Sequence, residues 1–164
     1  MMQQYFRLLA IVTFLVLHFP LSALAERRPE QIAPFRKGAS MAGFAIGLSP
    51  LKGNPLMLAI NWETGVTERL GFGYIGTNLL GGAFFKKADL TLGAGFDLNF
   101  HYDLKERNFD FYSGISALLP LSSTEKARMG IHVAGRVFYH YSSAVEFRVG
   151  YGFTILSIGI LHAL

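Results

Sequence analysis

One stretch of this chain leaves its backbone little freedom. Residues 89–104 read DLTLGAGFDLNFHYDL, in which Leu90, Leu92, Ala94, Phe96, Leu98, Phe100, Tyr102 and Leu104 alternate without a break with Asp89, Thr91, Gly93, Gly95, Asp97, Asn99, His101 and Asp103. A strand sends successive side chains to opposite faces, so one face here is wholly apolar and the other small or polar. A helical period would mix the two sets, so the segment reads as a strand.

The same period of two recurs along the chain. Ala42, Phe44, Ile46 and Leu48 oppose Met41, Gly43, Ala45 and Gly47; Leu56, Leu58, Ile60 and Trp62 oppose Met57, Ala59, Asn61 and Glu63. Leu70, Phe72 and Tyr74 oppose Arg69, Gly71 and Gly73, and Phe109, Phe111, Ile115 and Leu119 oppose Asp110, Tyr112, Gly114 and Ser116. Ile131, Val133, Val137 and Tyr139 oppose His132, Ala134, Arg136, Phe138 and His140. Val145, Phe147, Val149, Tyr151 and Phe153 oppose Glu146, Arg148, Gly150 and Gly152, and Leu156, Ile158, Ile160, His162 and Leu164 close the series. The pattern predicts eight strands, each near the roughly nine to eleven residues that cross a bilayer at a tilt.

Which face lies inside decides the class. A soluble sandwich would carry Lys, Glu, Thr and Ser on its solvent face. Here that face is mostly Gly, Ala and Ser, and the chain is only 16% charged with 18 glycines, against about 25% charged in ordinary soluble domains. Small residues suit the interior of a narrow closed barrel, and a barrel satisfies every backbone donor as a bilayer requires. The expected fold is all-β: an eight-stranded antiparallel transmembrane β-barrel over 39–164. With 164 residues and no cysteine, one domain is expected, and disulfide frameworks and cysteine-ligated zinc or iron–sulfur centres are excluded.

Residues 1–25, MMQQYFRLLAIVTFLVLHFPLSALA, read as a cleaved signal peptide. Arg7 is the positive start, an apolar run follows to Phe19, and Ala23-Leu24-Ala25 supplies the small residues before the cut. Residues 26–38 form a polar, Pro-containing periplasmic tail. With the tail in the periplasm, the outward links fall at 49–54, 77–87 and 121–128, and the inward ones at 64–67, 105–107 and 142–143. Long outside and short inside is the outer-membrane pattern. The seventh link, near Gly152–Leu156, carries no Asn, Asp or Pro and must turn tightly. Trp62, Tyr102, Phe109, Phe111, Tyr139 and Tyr141 are expected at the periplasmic rim, and Tyr74, Tyr151 and Phe153 at the outer one, as interfacial aromatics.

With the signal peptide, the eight alternating strands and the C-terminal SIGILHAL, the chain resembles small bacterial outer-membrane β-barrels of the outer-membrane protein A/X type. The resemblance implies an assembly signal in the last strand, carried here by Ser157, Gly159, His162 and Leu164, though that family prefers aromatics where His162 and Leu164 stand. It implies recognition by the barrel-assembly machinery and residence in the outer membrane. It does not fix a function.

The ionisable residues of the inner face are Glu63, Arg69, Asp97, His101, Asp110, His132, Arg136, His140, Glu146 and Arg148. Buried charges must pair, so they are expected to form a self-neutralising network that fills the lumen. A narrow pore is the transport alternative. The histidines lack a close-spaced ligand pair, and neither a metal nor another cofactor is expected. His140-Tyr141-Ser142 resembles the HYS of lipid A deacylases, which are eight-stranded barrels with a His–Ser–Glu triad. That resemblance implies an acyl hydrolase using His140 and Ser142, with Glu146 as the available acid, because Thr154 stands where the family's acid is expected. Ser143 stands where that family has Asn. Lys52, Lys86, Lys87, Lys126 and Arg128 lie in the outward links and would attract lipopolysaccharide phosphates. Nucleic-acid binding has no motif. The function expected is therefore structural or adhesive, for a monomer with a packed polar lumen.

Overall fold

The alternation is realised as a single closed ring of strands. The computed structural model describes residues 35–164 except 54, 88, 107 and 141, with His140 described by its backbone only. The expected signal peptide and most of the tail lie outside these residues. The strands are β1 Ser40–Leu48, β2 Leu56–Gly65, β3 Gly73–Lys86, β4 Asp89–Tyr102, β5 Phe109–Pro120, β6 Arg128–His140, β7 Ser143–Gly150 and β8 Leu156–Ala163. Each pairs antiparallel with the next, and β1 closes against β8 from Met41↔Ala163 to Leu48↔Leu156. Closure leaves no unpaired edge. The end at which the tail meets β1 is called the tail end here, and the opposite one the far end.

The two faces segregate as the period of two requires. Ile60, Leu79, Phe96, Ile115, Ile131 and Ile158 project outward and are exposed, while Glu63, Asp97, Tyr112, Arg136 and Arg148 project inward and are buried. The barrel is thus apolar outside and charged inside, the reverse of a water-soluble core. Trp62, Phe109 and Tyr139 stand exposed near the tail end. Beside them Phe72, Phe100, Tyr102 and Phe111 form a run of ring contacts, with centroids between 5.1 and 6.0 Å apart. Tyr141 lies outside the described residues.

Several expectations are corrected. The segment 77–87 is not an outward loop: β3 and β4 pair without interruption from Gly73↔Tyr102 to Lys86↔Asp89, so the connection shrinks to the short interval between Lys86 and Asp89. Apolar alternation fades there because Leu80 and Phe84 point inward while Leu79 and Phe85 point outward, leaving apolar residues on both faces. The inward link is 66–72 rather than 64–67, and the pairing Leu70↔Gly73 delays the start of β3. Tyr74 therefore sits at the tail end opposite His101, not at the outer rim. With far-end links at 49–55, 87–88, 121–127 and 151–155, and tail-end links at 66–72, 103–108 and 141–142, the two ends do not divide into long and short.

Phe153 is the other reversal. Counted along the alternation it faces lipid, but β7 stops at Gly150 and the link folds over the barrel mouth. Its ring is buried against Phe84, with centroids 5.6 Å apart. At Gly95 a Cβ would stand 2.2 Å from the Phe153 ring, so only glycine leaves the ring its place.

Candidate functional site

The lumen is layered. Leu51, Met57, Ala59, Leu80, Phe84, Leu118 and Phe153 fill the far end, and Phe35, Met41, Phe138, Ala144 and Leu161 fill the tail end. Phe35 comes from the tail, where residues 36–39 are tied to the end of β2 by Gly38 N–H to Gly65 O (2.9 Å) and Gly65 N–H to Ala39 O (2.9 Å). A Cβ at Gly76 would come within 2.8 Å of the Phe35 ring. Between the two apolar layers lies the charged one.

Arg136 and Tyr112 organise that layer. The Arg136 guanidinium ion-pairs with Glu63, donates through Nε to Glu146 Oε2 at 2.8 Å, and reaches Asp110 Oδ2 at 3.4 Å. It also lies over the Tyr112 ring, 4.5 Å from the centroid. The Tyr112 hydroxyl donates to Glu146 Oε2 at 2.6 Å and accepts from Arg136 Nη2 (3.1 Å) and Arg148 Nη2 (2.9 Å). Arg148 donates in turn to Asp97 at 2.5 Å, and the Asn78 amide donates to the same carboxylate oxygen at 3.1 Å. Strand geometry makes this possible. Arg136 faces Glu146 directly across β6–β7 and Asp110 across β5–β6, whereas Glu63 reaches it from the opposite wall.

The histidines take different parts. His101 places Nδ1 2.9 Å from Asp110 and Nε2 3.0 Å from Glu63, so each ring nitrogen faces a carboxylate acceptor. His132 sits in a directional chain. The Asn99 amide nitrogen donates to Glu63 (2.5 Å), so its oxygen accepts from His132 Nε2 (2.9 Å), and Nδ1 is left to accept from the Ser116 hydroxyl (2.7 Å). Four carboxylates thus meet two guanidinium groups and one imidazole that bridges two of the acids. Pairing of each charged group is what keeps such a layer tolerable inside a low-dielectric body, although Asp97 Oδ1 and Arg148 Nε are buried without a hydrogen-bond partner among the described residues.

Of the residues expected in the lumen network, Glu63, Asp97, His101, Asp110, His132, Arg136, Glu146 and Arg148 are brought together and buried. Arg69 is not among them. It lies in the 66–72 link, half-exposed, and pairs with Asp103 at 3.1 Å. Sequence reasoning missed Phe35, Tyr112 and Asn99 as members. Tyr112 and Asn99 were readable as inward-facing polar groups, whereas Phe35 lies in a tail with no period to orient it.

The His140–Ser142 motif is reshaped by a bulge. The β6–β7 register shifts between Phe138 and His140, which sets His140 opposite Ser143 rather than Ser142. The His140 side chain lies outside the described residues. Ser142 is buried, and its carbonyl accepts from Ala163 N–H at 2.6 Å. Ser143 Oγ lies 2.9 Å from His162 Nδ1, and Glu146 is held by Arg136 and Tyr112 inside the lumen. The proposed assembly residues all lie on or just past β8: Ser157 and Gly159 face inward, His162 lies opposite Ser143 and Ala42, and the Leu164 N–H donates to Ser40 O at 2.9 Å.

At the far end the basic residues knit three links. Lys52 N–H donates to the Glu125 carboxylate (3.2 Å), Lys86 Nζ donates to Lys52 O (2.9 Å), and Arg128 pairs with Glu125 (3.5 Å) while donating to the Tyr151 hydroxyl (2.7 Å). Compared with known protein families and with curated proteins, the chain matches none.

Proposed function

We propose that this chain is exported and spans the bacterial outer membrane as a monomeric barrel, a closed body with a structural or surface-contact role. The observation that carries the reading is the inverted segregation of side chains. Bulky aliphatic and aromatic groups cover the outer wall around the ring, while every member of the central ion network is turned inward and buried. Water would select the opposite arrangement, and a hydrocarbon surrounding selects this one. The run of rings at the tail end suits the headgroup level of a bilayer.

Two features support a closed body over a conducting one. Phe35 and Phe153 cap the charged layer from opposite ends, and Arg136 crosses the lumen to Glu63. An eight-stranded barrel has interior space for side chains and little else. The far-end links, with Lys52, Lys86, Lys87, Lys126 and Arg128, are the surface offered to lipopolysaccharide. The β8 residues Ser157, Gly159, His162 and Leu164 are the segment offered to the assembly machinery.

Cell fractionation combined with gel electrophoresis of unheated and boiled protein tests this reading. The expected result is recovery with the outer membrane and a band that migrates differently until boiled. Recovery in the soluble periplasmic fraction, with no heat-dependent shift, would overturn it.

A further inference from the structure

The outer wall is not evenly filled. A trench of about 640 Å³ crosses it between two rows of outward side chains. Phe100, Ser113, Val133 and Val149 form the lower row, each opposite the next across adjoining strands. Leu98, Ile115 and Ile131 form the upper row, and the row ends at Tyr151, whose N–H donates to Ile131 O at 2.7 Å. Ser113 is what opens the trench. It is the one small side chain of its row, and its hydroxyl is turned towards the Tyr102 hydroxyl, 3.0 Å away.

The two ends of the trench differ. Phe100 lies near the end of β4 among the tail-end rings. Tyr151 stands at the far rim, its hydroxyl bonded to the Arg128 guanidinium. Strands tilted by about 40° carry a row of this kind obliquely up the wall, so the trench, whose lining ends at Ile131, Val149 and Gly150, runs from the apolar band towards the cationic rim that begins at Tyr151. Glu125 is the carboxylate paired with Arg128, and it is shared with the Lys52 N–H, while Lys52, Lys86 and Lys126 surround the same rim. The rim therefore carries more positive than negative groups.

We propose that the trench is a seat for one acyl chain of an anionic lipid, with a headgroup phosphate taken by Arg128 beside Tyr151. This rests on the membrane-spanning reading. It deepens that reading by choosing one place and one lipid charge class. Guanidinium and phosphate match in geometry and charge, and the trench offers a hydrocarbon chain mostly apolar side chains, with the Ser113 hydroxyl already bonded to Tyr102. A second copy of the chain or another barrel would have to fill the trench with side chains and would gain nothing from Arg128.

The test uses the full-length barrel in vesicles that contain lipid brominated at mid-chain, either anionic phosphatidylglycerol or zwitterionic phosphatidylcholine. Trp62, the sole tryptophan, reports a second groove of about 610 Å³, lined by Phe44, Ile60 and Leu79 and by no basic residue among those described. A second protein carrying Trp62→Phe and Phe100→Trp reports the trench itself. The expected result is equal quenching of Trp62 by both lipids and an approximately five-fold preference for the anionic lipid at Phe100→Trp, the size expected for one basic residue at a charged surface. Adding Arg128→Gln should abolish the preference, and adding Ser113→Phe should abolish quenching by either lipid at that site. Equal quenching by both lipids at Phe100→Trp, or a preference that survives Arg128→Gln, overturns the proposal and leaves the membrane reading standing. Absence of quenching by either lipid at both Trp62 and Phe100→Trp overturns both.

Discussion

Phe35 lies flat on the His101 imidazole, with ring centroids 3.8 Å apart and planes 20° from parallel. A tail residue outside the first strand is thereby built into the barrel's polar layer. The His101 ring is covered on both faces, since Tyr112 stacks at 4.6 Å with planes 29° from parallel.

Phe35→Ala should weaken the tail-end seal and lower stability, by about 3 to 5 kcal/mol for a buried Phe reduced to Ala. The measurement is the urea midpoint of the barrel refolded in vesicles. Planar-bilayer recording gives the companion readout: the wild type should stay at baseline, and Phe35→Ala combined with Phe153→Ala should give discrete openings. A wild type that conducts as readily as the double variant would show that neither ring seals the lumen.

Arg136→Met should be among the most damaging single changes. It leaves Glu63, Asp110 and Glu146 buried without their shared cation, and breaking a buried pair from one side costs roughly 3 to 5 kcal/mol. Arg136→Lys restores charge without the fork that reaches three acids and should recover only part of the loss. Full recovery by lysine would mean that charge alone, and not geometry, holds the layer.

Gly95→Ala should displace the Phe153 ring, at a cost of about 1 to 3 kcal/mol as overpacking. In a Phe153→Ala background the same substitution should cost markedly less, because the clash partner is gone. A double-mutant cycle measures the difference. Additive effects would place the strain of Gly95→Ala elsewhere, for example on Ala117 O, which a Cβ would approach to 3.1 Å.

Ile60→Arg separates lipid from water outside the barrel. Ile60 is 57% exposed in the middle of β2. On a water-facing wall the change would be nearly neutral; at a bilayer midplane arginine costs about 2 to 4 kcal/mol. Folding free energies in vesicles should reveal the penalty, and a variant as stable as wild type would count against membrane insertion.

How much of this was legible beforehand follows from which layer of the lumen a strand serves. In β4 the inward residues Asp97, Asn99 and His101 are polar and the outward ones apolar, so the alternation announces both the strand and its faces. In β3 the inward Leu80 and Phe84 belong to the far-end apolar layer, so hydropathy no longer distinguishes inside from outside. Ten of that strand's fourteen residues therefore read as a loop. Arg69 and Phe153 show the matching failure at strand ends. Counting by twos holds only while the backbone stays extended, and both residues stand in links. The partners of Arg136 could be named from parity, but not which acids it would reach, because that depends on register across the lumen. Phe35 had no period to carry it at all.

The knot around Arg136 has one more consequence. Its acids come from β2, β5 and β7, and through Glu146 and Arg148 it extends to Asp97 on β4. These groups meet only when the wall has one circumference. A ring short of a hairpin, or one enlarged by a strand from a neighbouring molecule, would separate Arg136 from Glu63 and strand charge in a dry interior. The buried ions thus act as a gauge of ring size, penalising any cylinder built from the wrong number of staves.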